Sequence, residues 1–487
     1  MRIFPMTVPA STFKGRQVFI LFKKLLACLF LLWGMSGCAH FPVNVPLAQF
    51  NPDASYRLQG LPPNSRSDEL LVVLAFSGGG TRAASLSYGV LEELARTEVE
   101  IDGTKRRLLD EIDMISSVSG GSFTAAYYAL FGDRIFDDFE GCFLKQNIQG
   151  KLFRRLINPW FWPRFWSPGY NRDDMAAELY DREIFRGKTY ADLLQRQGAP
   201  YLIINATNIE SGSRFEFTQN QFDVINSDLS AFSVSRAVTA SSAVPGLFGT
   251  VRLVNQSKKG ERFHLRWVEE TLDNFESPLR LSKEAKEAED YQDAKKRKFV
   301  HLVDGGVADN LGLRSFVDMI TKQKIAPNRA QTHFSKAVRK VLLIIVDAHV
   351  EKEGGFSRTE SPGFFKIIGA SVGIPMNRYS FETIELVESV LKERAAEMRK
   401  ERAEMSTSEA GSKTNMVPPE PLKYYTAVLQ FNHLPDKEDA AFFRSMPTSF
   451  KLKEEDVDRL RMLAVQQLRN SQAFQDLLRD LNAQRLP

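Results

Sequence analysis

The hydrophobic positions of this chain gather into short unbroken runs, each closed by a turn signal. Leu70 to Phe76 is apolar throughout and stops at Ser77-Gly78-Gly79-Gly80. A run of that kind predicts a strand buried on both faces. Leu86, Val90, Leu91 and Leu94 then recur at helical spacing, so strand, glycine turn and helix follow in order. The arrangement returns at Ile112 to Val118, which leads through Gly120-Gly121 into a helical stretch from Ser122 to Leu130. Tyr201 to Ala206, Phe299 to Val303 and Val341 to Val346 are further buried-strand candidates, and Tyr424 to Phe431 is the sixth. Strands alternating with helices predict an α/β fold of three layers, α/β/α, around a mostly parallel central sheet. Ligands of such sheets bind beyond the carboxyl ends of the strands.

Outside the predicted sheet the patterning changes. Asn255 to Lys298 is dense in mixed charge and reads as an insertion (near 255–298) with solvated helices. Phe381 to Met405 carries Ile384, Val387, Val390 and Leu391 on one stripe and predicts a long surface helix, followed by a loop over Ser406 to Pro421. Glu454 to Leu481 is amphipathic and predicts helix packed on the domain. The expected organisation is a catalytic domain over 70–350 and a mainly helical extension with one strand over 351–487. Ahead of it, Ala39 to Glu69 holds Pro42, Pro46, Pro52, Pro62 and Pro63 with little apolar periodicity. That composition suits an extended tether over 38–69.

The N-terminus gives the tether a purpose. Lys14, Arg16, Lys23 and Lys24 precede an apolar run from Leu25 to Trp33, too short for a comfortable membrane span, and then Gly34-Met35-Ser36-Gly37-Cys38. This predicts a secretory signal over 1–37. The small residues before Cys38 resemble the bacterial lipobox, with Met35 where that pattern usually has Leu. The resemblance implies a lipidated Cys38 and, with Ala39 following it, an outer-membrane lipoprotein facing the periplasm. An uncleaved anchor with a passive Cys38 is the alternative.

Of 487 residues, 43% are hydrophobic and 25% charged, enough for a large core. Five of the 64 Lys and Arg lie in residues 1–37, which contain no acid; the remainder carries 59 against 60, a net of −1. So balanced a body gives no support for nucleic-acid binding. Of three cysteines only Cys142 lies beyond Cys38, so the domain holds no internal disulfide and Cys142 reads as a small hydrophobe. No metal-ligand spacing of His, Cys and carboxylates appears, and no metal or cofactor is expected.

Candidate chemistry sits at the strand ends. Ser119 occupies a tight strand-to-helix turn, with Ser117 two residues before it and Gly121 two after, flanked by Gly120. Such a turn exposes a hydroxyl mechanically, and the N-terminus of the following helix favours negative charge beside it. Gly78, Gly79 and Gly80 have no side chains to block approach, so their N–H groups can converge on an oxyanion. A nucleotide loop is the competing reading, but the spacing of neither G-x-x-x-x-G-K-[ST] nor G-x-G-x-x-G is met, Ala83 standing where the final glycine would be. Asp304 closes an apolar strand ahead of Gly305 and Gly306, which puts a carboxylate at the sheet's carboxyl edge on a mobile or tightly turned backbone. Arg82 can brace the glycine loop, approach a phosphate headgroup, or sit solvated at the surface.

These three segments together resemble the patatin-like phospholipases, with their Gly-rich loop, G-x-S-x-G serine and D-G-G or D-G-A aspartate; here Ser117 replaces the first Gly. Ser235 to Phe248 resembles the Ala-Ser-x-Ala-x-Pro-x-x-Phe block of that family, and the likeness covers about 70–350. It implies a patatin-like fold and a Ser-Asp dyad in which Ser119 attacks an acyl carbonyl and Asp304 takes its proton. A water-exposed Asp, with a pKa near 3.9, is a poor base, so partial burial and a direct bond to Ser119 are expected. A Ser-His-Asp triad is the rival, with His349 and then His301 as its best-placed histidines, although His301 reads as a packed strand residue and His349 as a loop residue. The implied substrate is a phospholipid, lysophospholipid or other acyl ester. A non-catalytic envelope scaffold and an esterase or thioesterase for small substrates are the other readings.

Pro159-Trp160-Phe161-Trp162-Pro163-Arg164-Phe165-Trp166 fits no regular amphipathic helix. Core packing beneath a long loop is the simpler expectation, and a membrane contact or a lid over an acyl groove is the other.

Overall fold

The computed structural model describes residues 22–24, 43–52, 55–62, 64–167, 169–245, 249–258, 265–275, 277–325, 338–350, 364–409, 422–432 and 434–485. Cys38, nearly all of the predicted signal, Gly246 to Phe248 and most of the 406–421 loop lie outside them.

Among the described residues eleven strands run in chain order as β1 (Leu70–Phe76), β2 (Thr97–Ile101), β3 (Thr104–Arg107), β4 (Ile112–Val118), β5 (Tyr201–Asn208), β6 (Arg214–Glu216), β7 (Val251–Val254), β8 (Phe299–Asp304), β9 (Lys340–Val346), β10 (Lys423–Leu429) and β11 (Gln484–Arg485). The central sheet has the order β10-β9-β1-β4-β5-β8-β7, with β6 pairing β5 off this path. From β10 through β5 every neighbour is parallel. All residues of β1, β4 and β5 are buried, so helices cover both faces, as unbroken apolar strands require. The fold is the predicted three-layer α/β/α arrangement.

One strand departs from the expected direction. β8 runs antiparallel to β5 and pairs with it through only three positions, Leu302 with Asn208, Val303 with Thr207 and Asp304 with Ala206. It therefore enters from beyond the carboxyl edge and descends until Asp304 lies opposite Ala206. Because Val118 pairs with Asn205, the residues one step further on, Ser119 and Ala206, are level, and Asp304 comes to that same level from the other direction. Apolar run length carries no strand direction, which is why the route was not legible.

Helix α1 (Thr81–Ala95) follows β1 and α2 (Gly120–Phe131) follows β4; α3 (Val234–Ser241) and α4 (Glu454–Asn470) complete the set that matters for the site. The backbones of α1 and α4 approach so closely that a Cβ at Gly89 would stand 2.4 Å from the Arg461 carbonyl oxygen. Arg461 and Arg469 of α4 each grip a carboxylate of α1 through two bonds, Glu92 at 2.8 and 3.1 Å and Glu93 at 2.7 Å twice. The insertion holds the expected helices, Arg266–Asp273 and Leu279–Tyr291, and the long helix extends over Phe364–Glu409.

The stretch expected as a tether is bound to the body from residue 43 onward. Leu47 N–H donates to the Asn226 carbonyl, Tyr56 is fully buried between Tyr190 and Tyr201, and Arg57 pairs with Asp223 at 2.7 Å. A few well-placed anchors suffice for this and leave no periodicity to detect. Cys142 is half-buried, and burial pushes its thiol up to about 11, away from nucleophilic chemistry.

Candidate active site

Ser119 follows the last residue of β4 and immediately precedes α2, with φ 50° and ψ −118°. A non-glycine residue there is strained by about 1–3 kcal/mol, and the turn holds only because its neighbours are fixed. Ser119 N–H donates to Ser241 Oγ at 2.8 Å, and Ser241 Oγ donates to the Asn205 carbonyl at 2.6 Å. Ser241 closes α3, so α3 and β5 lock the elbow from the side opposite the glycine loop's strand. The Ser117 hydroxyl donates to the Ile203 carbonyl at 3.2 Å, and Gly121 N–H to the Ser77 carbonyl at 3.2 Å.

The Ser119 hydroxyl donates to Asp304 Oδ2 at 2.9 Å, while Asp304 Oδ1 accepts from Gly306 N–H at 2.8 Å. Both side chains are buried, Ser119 at 5% and Asp304 at 8% exposure. Burial raises the Asp304 pKa from the ordinary 3.8 to about 6, against the opposing pull of those two hydrogen bonds. The carboxylate is thus a stronger base than an exposed one and is still mostly ionised at neutral pH. Gly305 N–H donates to the Ser241 carbonyl at 3.0 Å, so the same α3 end that steadies the elbow steadies the aspartate turn.

The glycine loop divides its work. Gly78 N–H is taken by the Asn310 carbonyl at 3.1 Å, so the expectation that all three glycine amides face an oxyanion is corrected: Gly78 fixes the loop. Gly79 and Gly80 donate to no described residue and adopt φ 143° and 64°. Gly120 N–H, next to the serine and at the first position of α2, is likewise without a described acceptor. A Cβ on Gly120 would stand 2.6 Å from Gly80 N and 2.1 Å from its carbonyl oxygen, so elbow and loop touch backbone to backbone. The residue after a nucleophilic serine is a regular oxyanion donor, a signal that could have promoted Gly120 from elbow support.

Arg82 is neither solvated nor free for a headgroup. It is buried and donates to the carbonyls of Ala348 at 2.9 Å and Met446 at 2.6 Å and to Thr448 Oγ1 at 3.2 Å. Burial lowers its pKa to about 10, with Asp347 opposing. Beside these contacts Thr81 N–H donates to the Ser449 carbonyl at 2.9 Å, and a Cβ on Gly80 would meet that oxygen at 2.4 Å. Residues 446–449 therefore form the floor that sets the shape of the glycine loop, a role invisible along the chain.

Among the described residues neither the Ser119 hydroxyl nor the Asp304 carboxylate is hydrogen-bonded to a histidine. His301 Nδ1 bonds Thr250 Oγ1 at 3.1 Å, and burial depresses its pKa; His349 N–H donates to Asp347 Oδ1 at 2.9 Å. Among the described residues no three His, Cys or carboxylate side chains converge as a metal would require, and no helix is long and apolar enough to cross a membrane.

The tryptophans of the aromatic stretch are not core, although Phe165 packs against it. Trp160 and Trp166 are 80% and 64% exposed, on a short 3-10 turn (Pro159–Phe161) and just past a helical turn (Trp162–Phe165). Each turn has proline in its first two positions, and the rings face solvent where composition alone suggested burial.

A strained, buried serine bonded to a buried carboxylate, with uncommitted glycine amides beside it at the edge of an α/β/α sheet, is equipped for acyl transfer through a serine ester. The family model described as patatin-like phospholipase matches residues 74–317, half of the chain. The chain belongs to that family. Similar solved structures include human GIVD cytosolic phospholipase A2, at 13% identity over 85% of this chain with a TM-score of 0.40. Another is VipD from Legionella pneumophila, at 12% identity over 82% of this chain and 67% of that one, with a TM-score of 0.27. The chain spans 63% of the length of the human protein. No curated protein matches.

Proposed function

We propose that this chain is a membrane-anchored serine hydrolase that cleaves fatty acyl esters of phospholipids or lysophospholipids with a Ser119-Asp304 dyad. The observation that carries the proposal is the buried 2.9 Å hydrogen bond from the Ser119 hydroxyl to Asp304 beneath the glycine loop. Asp304 withdraws the hydroxyl proton as Ser119 Oγ adds to the ester carbonyl. The negative charge that develops on the carbonyl oxygen is met by the N–H groups of Gly79, Gly80 and Gly120 and by the N-terminus of α2. Collapse breaks the ester C–O bond, Asp304 returns its proton to the departing alcohol, and the acyl group stays on Ser119. Water, deprotonated by the same carboxylate, then adds to the acyl-enzyme; collapse breaks the Ser119 Oγ–acyl bond and releases the fatty acid, and Asp304 returns the proton to Ser119 Oγ. Burial that raises the base to about 6 reduces the mismatch with a serine hydroxyl, and the fixed amides supply the larger stabilisation.

Lipidation at Cys38, on the periplasmic face of a bacterial outer membrane, would hold this site beside its substrate. Metabolic labelling with a radioactive fatty acid, lost on Cys38→Ala, tests that part. For the chemistry, rapid quenching during phospholipid turnover followed by peptide mass analysis should find the acyl group on Ser119. Turnover with no acyl adduct there, or an adduct on another residue, would overturn the mechanism.

A further inference from the structure

We infer that the exposed aromatic and basic surface from Phe153 to Trp166 seats this protein on an anionic lipid bilayer. Helix Ile148–Ile157 buries Ile148 and Leu152 and turns Phe153, Leu156 and Ile157 to solvent. Trp160, Trp162 and Trp166 continue the same apolar surface past the helix end. Large apolar side chains exposed singly are ordinary, but six within fourteen residues are not.

The surface is built rather than loose. Asn158 Oδ1 accepts the Trp160 N–H at 3.1 Å, the Trp162 indole N–H donates to the Leu156 carbonyl at 3.2 Å, and the Arg155 guanidinium lies over Phe161. Ring positions are therefore set before any partner arrives, which lowers the ordering cost of contact.

Charge selects the occupant. Residues 141–172 contain Lys145, Lys151, Arg154, Arg155, Arg164 and Arg172 and no acidic residue at all. Lys151 and Arg164 are balanced by Glu183 and Glu178, and Lys145 by Glu140 and Asp458, whereas Arg154, Arg155 and Arg172 make no ion pair among the described residues. Tryptophan rings beside unpaired arginines match the boundary between acyl chains and anionic headgroups, the rings entering and the guanidinium groups pairing with phosphate. A second copy of this chain fits less well, because a self-complementary contact would bring the same positive charge together. The patch also connects to the site: Gln149 N–H, in the first turn of the helix, donates to the Phe450 carbonyl, and the neighbouring Ser449 supports Gly80 and Thr81.

The test uses the full chain carrying Ser119→Ala, so that no lipid is consumed, with Trp33→Phe and Trp267→Phe, which leaves only the three patch tryptophans. Vesicles are phosphatidylcholine with or without phosphatidylglycerol, their acyl chains brominated. We expect the fluorescence to be quenched on anionic vesicles, and Arg154→Glu with Arg155→Glu to weaken that quenching titration about tenfold or more. The inference is overturned if the chain co-sediments with vesicles while its rings stay unquenched, or if it does not bind. It is overturned equally if the charge reversals leave the anionic preference intact, or if the rings are already shielded by self-association without lipid. Because Ser119 is absent throughout, failure here leaves the hydrolase proposal standing, and failure of that proposal leaves this one.

Discussion

Asp304 pays for its basicity in stability, and Asp304→Asn measures how much. In the folded protein burial raises the carboxyl from 3.8 to about 6. The raised value means that the folded state holds the proton more tightly than the unfolded chain does. Well below the ordinary 3.8 both states are protonated and Asp304 costs nothing. Stability falls as pH climbs from about 4 to 6, and above 6 the whole cost stands. About two pKa units at about 1.4 kcal/mol each give about 3 kcal/mol. Asparagine keeps the shape and an oxygen for the Gly306 N–H, and its amide faces a Ser119 hydroxyl free to rotate and accept. Urea unfolding of both proteins at steps from pH 4 to 8 should show the smallest difference, within about 0.5 kcal/mol, at the acid end and a variant more stable by up to about 3 kcal/mol at the alkaline end. Turnover of the variant should fall about a hundred- to ten-thousandfold. A stability difference that does not change with pH, or a variant weaker at pH 8, would refute the assignment of a buried, raised carboxylate.

The same ionisation governs rate: kcat/KM on a soluble acyl ester should rise with pH through an apparent pKa near 6 and flatten above it, and a flat profile down to pH 4.5 would exclude Asp304 as the base. Arg82→Met leaves the Ala348 and Met446 carbonyls without their donor and should cost about 3 kcal/mol, with kcat falling more than KM changes because the glycine loop loses its floor; unchanged kcat would reduce Arg82 to a fold residue. His301→Ala and His349→Ala should each keep turnover within a few fold, and a thousandfold loss from either would restore the triad.

What was legible depended on range. β1 and β4 are uninterrupted apolar runs, and the glycines and serine that follow them are local turn chemistry, so loop and elbow could be placed from their own residues. Asp304 was found for a partly mistaken reason, since its strand descends from beyond the edge instead of rising to it. Gly78 could not be separated from Gly79 and Gly80, because its acceptor is the carbonyl of Asn310. Arg82 was ambiguous for the same cause: Met446 and Thr448 lie more than 360 positions further along. Ser241 belonged to a recognised block, yet its bond to Ser119 N–H depends on α3 meeting β4. The aromatic stretch misled in the opposite sense, as composition carries the apolar character of a ring and not the direction it faces.

The central claim, that Ser119 is an activated nucleophile held by Asp304, is tested most directly by a fluorophosphonate probe on the folded full chain, with the modified residue mapped by peptide mass analysis. The account predicts one label, on Ser119, abolished by Ser119→Ala, strongly slowed by Asp304→Asn and untouched by His349→Ala. Labelling that survives Ser119→Ala, or none in protein whose fold is verified, would contradict it.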